Sequence, residues 1–263
     1  MDRKINKIKI YTNGKEKSLM VSKQLKKELE TYFFQIDDSI YDAAISVGGD
    51  GTFLKMVHES DFKDIYYVGI NTGSLGFLQE TQIKDCNSFI KKLNNNEYQV
   101  EDVCIGQINV STKAQEYHYL FLNEIIIRSA QLRTLESNIE VGDTLLEKFA
   151  GDAILVSTTT GSTAQNMGYG GPILYPTLKA FVLTPIAPIK NRVYHNLNNS
   201  IVISDNNIIT IIPEKDDIFV TIDGISTIIQ DVVKIKVKIS DKRIKKLKFQ
   251  DTNFIQIVHD KLL

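Results

Sequence analysis

The stretch DAAISVGGDGTFLKMVHES, residues 42–60, decides the fold. Ala43, Ala44, Ile45 and Val47 form a short apolar run of the kind buried in a parallel sheet. Gly48 and Gly49 interrupt it, a carboxylate follows at Asp50, then Gly51 and Thr52, and TFLKMVHES continues with helical spacing. Strand, glycine turn and helix in immediate succession predict a βα unit. Glycines let the backbone turn sharply and approach a ligand closely. The N–H groups that open a helix lack partners, and the helix dipole favours negative charge beside them. Thr52 suits the N-cap, its hydroxyl free for a backbone N–H or a phosphate oxygen. Gly48, Gly49 and Thr52 therefore make a candidate phosphate loop.

Asp50 is the difficulty, because a carboxylate repels phosphate. Two tasks fit it. It could hold a divalent cation that bridges phosphates, or accept the proton of a hydroxyl attacking phosphorus. Both belong to phosphoryl transfer. The plain alternative is a turn in which Asp50 only caps the helix. Neither the Walker pattern G-x-x-x-x-G-K-[ST] nor the dinucleotide fingerprint G-x-G-x-x-G is present, since Leu54 stands where the last glycine is needed.

Outward from this loop, the first hundred residues alternate strand and helix. KIKIYTN (7–13) alternates as a strand, and SLMVSKQLKKELETYF (18–33) places Val21, Leu25, Leu29 and Tyr32 on one helical face. IYYVGI (65–70) is a strand that ends in a second glycine loop, GINTGSLGFL (69–78). In a parallel sheet both loops emerge at the carboxyl edge, where open α/β folds bind ligands. Ile83, Cys86, Ile90 and Leu93 share a further helical face. After about residue 100 the segments become strand-like, with turn signals at Gly142-Asp143, Asn206-Asn207 and Asp223-Gly224. The sequence predicts an α/β N-terminal domain over 1–100, a β-rich domain over 101–249, and a C-terminal helix over 250–263 returning to the first domain through Phe254, Ile257, Val258 and Leu262. A third glycine-rich run, GDAILVSTTTGSTAQNMGYGGPIL (151–174), offers hydroxyls and bare backbone against which a flat ligand can lie. Glu124 is the lone acid in the apolar strand YLFLNEIIIRS.

The chain has 263 residues and a formal charge of −1, which argues against bulk attraction to nucleic acid or acidic lipid. The start MDRKINKIKIYTNG has no apolar targeting segment, and no apolar run is long enough to cross a bilayer; a soluble, cytoplasmic protein is expected. Cys86 and Cys104 read as small core residues, and the four histidines form no metal spacing. The basic run KRIKKLK (242–248) reads as the solvated face of a strand.

Taken together, GGDGT (48–52), NTGSLGF (71–77), Asn123-Glu124, GDAILVSTTTGSTAQN (151–166), GGPIL (170–174) and NRVY (191–194) resemble the motifs of the NAD kinases, in order, over nearly the whole chain. GGDGT alone is weak evidence, since lipid kinases carry it. GGDGT followed by NE and then TGSTA is specific. The resemblance implies a Rossmann-like α/β domain and a β-sandwich-like domain with the site in the crevice between them. It also implies ATP as phosphoryl donor, NAD as acceptor, Mg²⁺ or Mn²⁺, and a homodimer or homotetramer. By the same resemblance Asp50 is the base or orienting carboxylate for the ribose 2′-hydroxyl. Gly51 and Phe77 face the dinucleotide, and Asn123 and Glu124 bind its hydroxyls. Thr163 and Ala164 line the adenine pocket beside Asn166, and Asp152, Ala187 and Tyr194 complete the site, some from a neighbouring subunit. Two positions depart from the family pattern T-P-[ST]-G-[ST]-T-A-Y-N: Thr159 replaces proline and Gln165 replaces tyrosine. Ala150 and Gly168 carry no implied side-chain role.

Two other readings compete. A lipid kinase sharing GGDGT lacks support, because the acid common soon after that motif is missing from GGDGTFLK and no amphipathic membrane helix is evident. A non-catalytic dinucleotide-binding regulator is opposed by the intact Asp50, Asn123 and Glu124.

Overall fold

The computed structural model describes residues 4–73, 76–79, 81–82, 86–192, 195–214, 217–249 and 253–263. Ser74, Leu75, Ile83 and Tyr194 lie outside them. The chain falls into two compact units, Met1–Val103 with Arg243–Leu263, and Cys104–Lys242.

The strands in chain order are β1 (Lys7–Thr12), β2 (Gln35–Ile36), β3 (Ala43–Gly48), β4 (Tyr66–Asn71), β5 (Thr81–Gln82), β6 (Gln99–Thr112), β7 (Glu116–Phe121), β8 (Glu124–Ser129) and β9 (Leu135–Val141). There follow β10 (Thr144–Gly151), β11 (Ala153–Ser157), β12 (Ala180–Ile186), β13 (Ile201–Ser204), β14 (Ile209–Pro213), β15 (Ile218–Ile222), β16 (Ile225–Ile229) and β17 (Val232–Lys248). The helices are α1 (Glu16–Thr31), α2 (Asp50–Glu59), α3 (Cys86–Asn94), α4 (Gln165–Gly168) and α5 (Phe254–Leu262). Strands β6 and β17 carry residues of both units.

In the first unit β2, β1, β3 and β4 pair in parallel, and Lys245 and Lys246 of β17 pair with Tyr66 and Tyr67 of β4. Strands β3 and β4 are buried at every position, which explains their unbroken apolar character. Helix α1 buries Val21, Leu25 and Leu29, each worth about 1.5–3 kcal/mol when removed from water. Its buried Ser18 hydroxyl donates to the Val47 carbonyl at the end of β3. The left-handed residues Asp61 and Phe62 end the α2 segment. Register places Gly48 beside Asn71, so the glycine loops after β3 and β4 are neighbours.

The second unit is a sandwich. One layer runs β13-β12-β11-β8-β15-β16, all antiparallel. The other contains β10, β9, β14 and the first part of β17. One core lies between them, with Ile125, Ile127, Ile154, Val156 and Val220 from the first layer meeting Ile139, Phe149, Ile211 and Ile235 from the second.

Three sequence expectations change. Asp223-Gly224 closes a two-residue hairpin with φ of 47° and 85°, as a type I′ turn requires, and Gly142-Asp143 links β9 to β10. Asn206-Asn207 closes no hairpin: β13 pairs with β12, whereas β14 inserts between β9 and β17, so the turn passes the chain from one layer to the other. In the basic run, Lys246 is buried and paired with Glu101 at 3.3 Å rather than solvated. On α5 the half-buried positions are Phe254, Ile257, Val258 and Lys261, while Leu262 is exposed. The inward face thus ends in a charge.

Candidate active site

Helix α2 begins at Asp50 with Gly49 as its N-cap, two residues earlier than the sequence suggested. Thr52 is therefore not the cap. It sits in the first turn, buried, its N–H donating to the Gly49 carbonyl at 2.8 Å and its side chain lying over Gly48. A β-carbon at Gly48 would collide with the Thr52 hydroxyl, so this glycine is required by packing. Gly49 and Gly51 differ. Neither has positive φ, and a β-carbon on either would meet only open space. Nothing described in the fold demands glycine there. A ligand pressed against the loop would.

Asp50 is held by the second glycine loop. The Phe77 N–H donates to its Oδ2 at 2.8 Å and the Leu78 N–H to its Oδ1 at 3.1 Å. Gly76 makes this possible, because a side chain there would strike the Asp50 carboxylate. The Lys261 ammonium stands 3.8 Å from Oδ2 and 4.1 Å from the centre of the Phe77 ring. The Phe77 ring in turn meets Phe254, the first residue of α5, at 6.3 Å between centroids. Each carboxylate oxygen spends one lone pair on a backbone donor and keeps another. With a side-chain exposure of 32 %, the carboxylate is both fixed and reachable. Such a group can orient a hydroxyl and take its proton as the new bond forms.

The second cluster surrounds Asn123 and Glu124, both buried. Asp223 organises it from the β15–β16 turn, its carboxylate accepting from the N–H groups of Leu122 at 2.6 Å, Asn123 at 2.7 Å and Glu124 at 3.1 Å. The sequence marks Asp223-Gly224 as a hairpin turn, with a ligand approach as the alternative; an acid next to a hairpin glycine gives no sign of this backbone-holding task. The Thr158 hydroxyl donates to the Leu122 carbonyl at 2.6 Å, and the Asn123 carbonyl comes so close to Gly161 that no side chain fits there. These contacts fix the backbone, but Asn123 Oδ1 and Glu124 Oε2 are buried with no partner. Orphaned buried acceptors are costly and mark a place where a donor is missing. Burial first, and then the neighbouring Asp223 charge, push the Glu124 carboxyl up to about 7.

The departures from the expected loop acquire explanations. Gln165 Nε2 donates to Glu124 Oε1 at 3.2 Å, so the residue replacing an aromatic ring instead steadies the acid. Thr159 has a φ of −59°, the value a proline would impose, so its substitution leaves the turn unchanged.

The remaining sequence-predicted residues divide. The Ser157–Glu124 register brings the loop after β11 to the buried acid. In that loop Thr163 and Ala164 are half-buried, and the Thr163 hydroxyl returns to the Thr160 carbonyl at 3.2 Å. Asn166 is fully buried and its amide is spent internally: it donates to the Ser162 and Pro172 carbonyls and accepts from the Thr184 hydroxyl at 2.7 Å. Asp152 and Ala187, both exposed, meet at the far end of β11, where the Asp152 N–H donates to the Ile186 carbonyl. Five residues of strand put that end about 16 Å from Ser157. Ala187 has a φ of 45°, a strained value for a residue with a β-carbon. The predicted Tyr194 lies outside the described residues.

Among the described residues no group of three or more His, Cys, Asp or Glu side chains could cage a metal, and neither Cys86 nor Cys104 is in a disulfide. The donor set fits a cation that arrives on nucleotide phosphates and needs one or two carboxylates at most. No described helix is long and apolar enough to cross a membrane.

Comparison with known proteins agrees with the fold and the motifs. The family model described as ATP-NAD kinase N-terminal domain matches residues 1–98, and that described as ATP-NAD kinase C-terminal domain matches residues 122–249. An NAD kinase of Finegoldia magna is 34% identical, covering 97% of each chain. That of Enterococcus faecalis is also 34% identical with 97% of each chain covered. NAD kinase 1 of Listeria monocytogenes is 31% identical, over 98% of this chain and 99% of its own. Among solved structures, yeast NADH kinase complexed with NADH superposes with a TM-score of 0.86 at 17% identity, covering 99% of this chain and 88% of that one. An NAD kinase from Archaeoglobus fulgidus in complex with ATP gives 0.76 at 24% identity, covering 97% and 99%. With both domains matched in order and relatives above 30% identity along the whole length, the chain belongs to the NAD kinase family.

Proposed function

We propose that the protein transfers the γ-phosphoryl group of ATP to the 2′-hydroxyl of the adenosine ribose of NAD, giving NADP and ADP. The observation that carries this reading is Asp50. A carboxylate gripped at both oxygens by backbone donors stands at the mouth of a loop whose Gly49 and Gly51 are bare for no reason of packing.

A ribose hydroxyl has a pKa far above neutrality, so Asp50 cannot deprotonate it in advance. It orients the hydroxyl through a free lone pair. As the oxygen–phosphorus bond forms and the γ-phosphorus parts from the bridging oxygen of ADP, the proton passes to Asp50 and then to solvent. The transition state is loose, and positioning with electrostatic stabilisation supplies most of the rate. Gly48, Gly49 and Gly51, with Thr52 bracing Gly48, let phosphate oxygens approach the opening N–H groups of α2. Phe77 offers a ring face to the dinucleotide.

In the second unit, Asn123 Oδ1 and Glu124 Oε2 are the acceptors left open for nucleotide hydroxyls, which are donors of the required kind. Thr163 and Ala164 flank the base. Asn166 acts as a positioning residue for that loop, since its own polar atoms are satisfied inside the protein. Asp152 and Ala187 lie too far along β11 from Ser157 to join the Glu124 cluster directly, which favours their serving a neighbouring subunit of a homodimer or homotetramer. A Mg²⁺ or Mn²⁺ ion carried by ATP, with Asp50 as the carboxylate placed to hold it, would supply positive charge against the triphosphate. The substrates are those of the cytoplasm, where we place the enzyme.

The test is direct. Purified protein is incubated with ATP, Mg²⁺ and NAD, and NADP is measured with an NADP-specific dehydrogenase. Accumulation of NADP is expected; its absence with well-folded protein would refute the reading.

A further inference from the structure

Asp50 poses the electrostatic problem raised by the sequence: a negative charge stands where a triphosphate has to approach. Among the described residues, the structure places the ammonium of Lys261 against it. Lys261 lies on the last turn of α5, its ammonium 3.8 Å from Asp50 Oδ2 and 4.1 Å from the Phe77 ring centre. We propose that Lys261 is a positioning residue of the phosphoryl-donor site, neutralising Asp50 so that an anionic donor can reach the glycine loop. The inference rests on the ATP-dependent reading above.

The ordinary account of a lysine in a last helical turn is favourable contact with the helix dipole and a side chain extended into water. Lys261 does not extend. Its side chain is only 17% exposed, on the inward face of a helix that has no fully buried residue. Its neighbour Leu262 is exposed, so α5 presents a solvent-facing side at the same turn. Burial lowers the lysine's pKa, and Asp50 is the charged group that opposes the effect. An ammonium held at this cost beside a half-exposed carboxylate points to a task at the carboxylate. The geometry also suits that task. Backbone donors from Phe77 and Leu78 already fix Asp50, so Lys261 is not needed to hold it. What it adds is charge. The pair is nearly neutral toward an incoming phosphate, yet each Asp50 oxygen retains a lone pair for the hydroxyl proton.

A double-mutant cycle decides the matter, with a non-hydrolysable ATP analogue as probe and equilibrium binding as readout. Lys261→Met should weaken analogue binding about tenfold when Asp50 is present, the size expected of one nearby charge in a solvent-accessible site. In an Asp50→Asn background the same substitution should change it less than about twofold, because no charge remains to be neutralised. Lys261→Arg should bind the analogue as the parent protein does, and NAD binding in the absence of donor should be unchanged by Lys261→Met or Lys261→Arg alone. If Lys261→Met folds poorly, Lys261→Gln takes its place in the cycle. Equal weakening in both backgrounds would overturn the proposal by making Lys261 a direct phosphate ligand. No weakening in either would overturn it by leaving the lysine a helix anchor. NADP formation by the unaltered protein is scored separately, so failure of the ATP-dependent reading is distinguishable from failure of this one.

Discussion

Glu124→Gln should make the protein more stable, and only above about pH 4.5. Glu124 is 3% exposed, and its carboxyl is pushed up to about 7 by burial and by Asp223. The unfolded chain titrates near the ordinary value of 4.5. A carboxyl raised on folding binds more protons in the folded state between these values. Stability therefore falls as pH rises from about 4.5 to about 7 and is then level. At about 1.4 kcal/mol per pH unit, the fully ionised group costs the fold about 3 kcal/mol. Glutamine resembles the protonated acid in shape and removes the charge. Urea unfolding followed by tyrosine fluorescence (the chain has no tryptophan) at two pH values is the assay. The variant should match the parent within about 0.5 kcal/mol near pH 4.5 and exceed it by about 3 kcal/mol near pH 8. The same substitution should raise the KM for NAD, as expected where a binding site stores instability. An equal effect at both pH values, or a loss of stability at pH 8, would refute the reasoning.

Other outcomes follow from named contacts. Gly51→Ala should leave stability unchanged or raise it by up to about 1 kcal/mol, since alanine suits a helix and finds open space, while kcat/KM falls; a thermal melt and the NADP assay check both. Gly48→Ala should instead destabilise by about 2 kcal/mol or more through collision with Thr52, visible as a lowered Tm. Asp223→Ala should cost about 2–5 kcal/mol, because three backbone donors lose a charged acceptor, and urea unfolding measures the loss. Asn166→Ala should cost about 2 kcal/mol in the same assay and lower activity without contacting the nucleotide, since the Thr184 hydroxyl loses its acceptor.

The first unit was legible because its signals are local. Apolar runs such as Ala43–Gly48, glycine turns and the helical face of Val21, Leu25 and Leu29 each report a neighbourhood of a few residues. The Asp50 loop could be singled out on the same footing, from a charge in a place built for anions. Contacts made across long separations were not legible. Phe77 and Leu78 grip Asp50 from the next loop, Asp223 holds the Asn123 backbone from a hundred residues away, and Lys261 returns from the end of the chain. Nothing in the spacing of those residues encodes the approach. Local pattern also misled where one residue decides a face. Leu262 completes an apolar stripe on paper, yet Lys261 takes the inward position because a carboxylate and an aromatic ring receive it. Asn206-Asn207 carries the chemistry of a hairpin turn, but the burial of β14 between two other strands sends the chain to the opposite layer.

The account depends most on Asp50 as the group that receives the ribose proton while phosphate is transferred. The most direct measurement pairs NADP formation with equilibrium NAD binding in the Asp50→Asn protein. The account predicts NAD affinity within about threefold of the parent and turnover reduced at least a hundredfold, the scale of a lost general base. Undiminished NADP formation in that variant would contradict it.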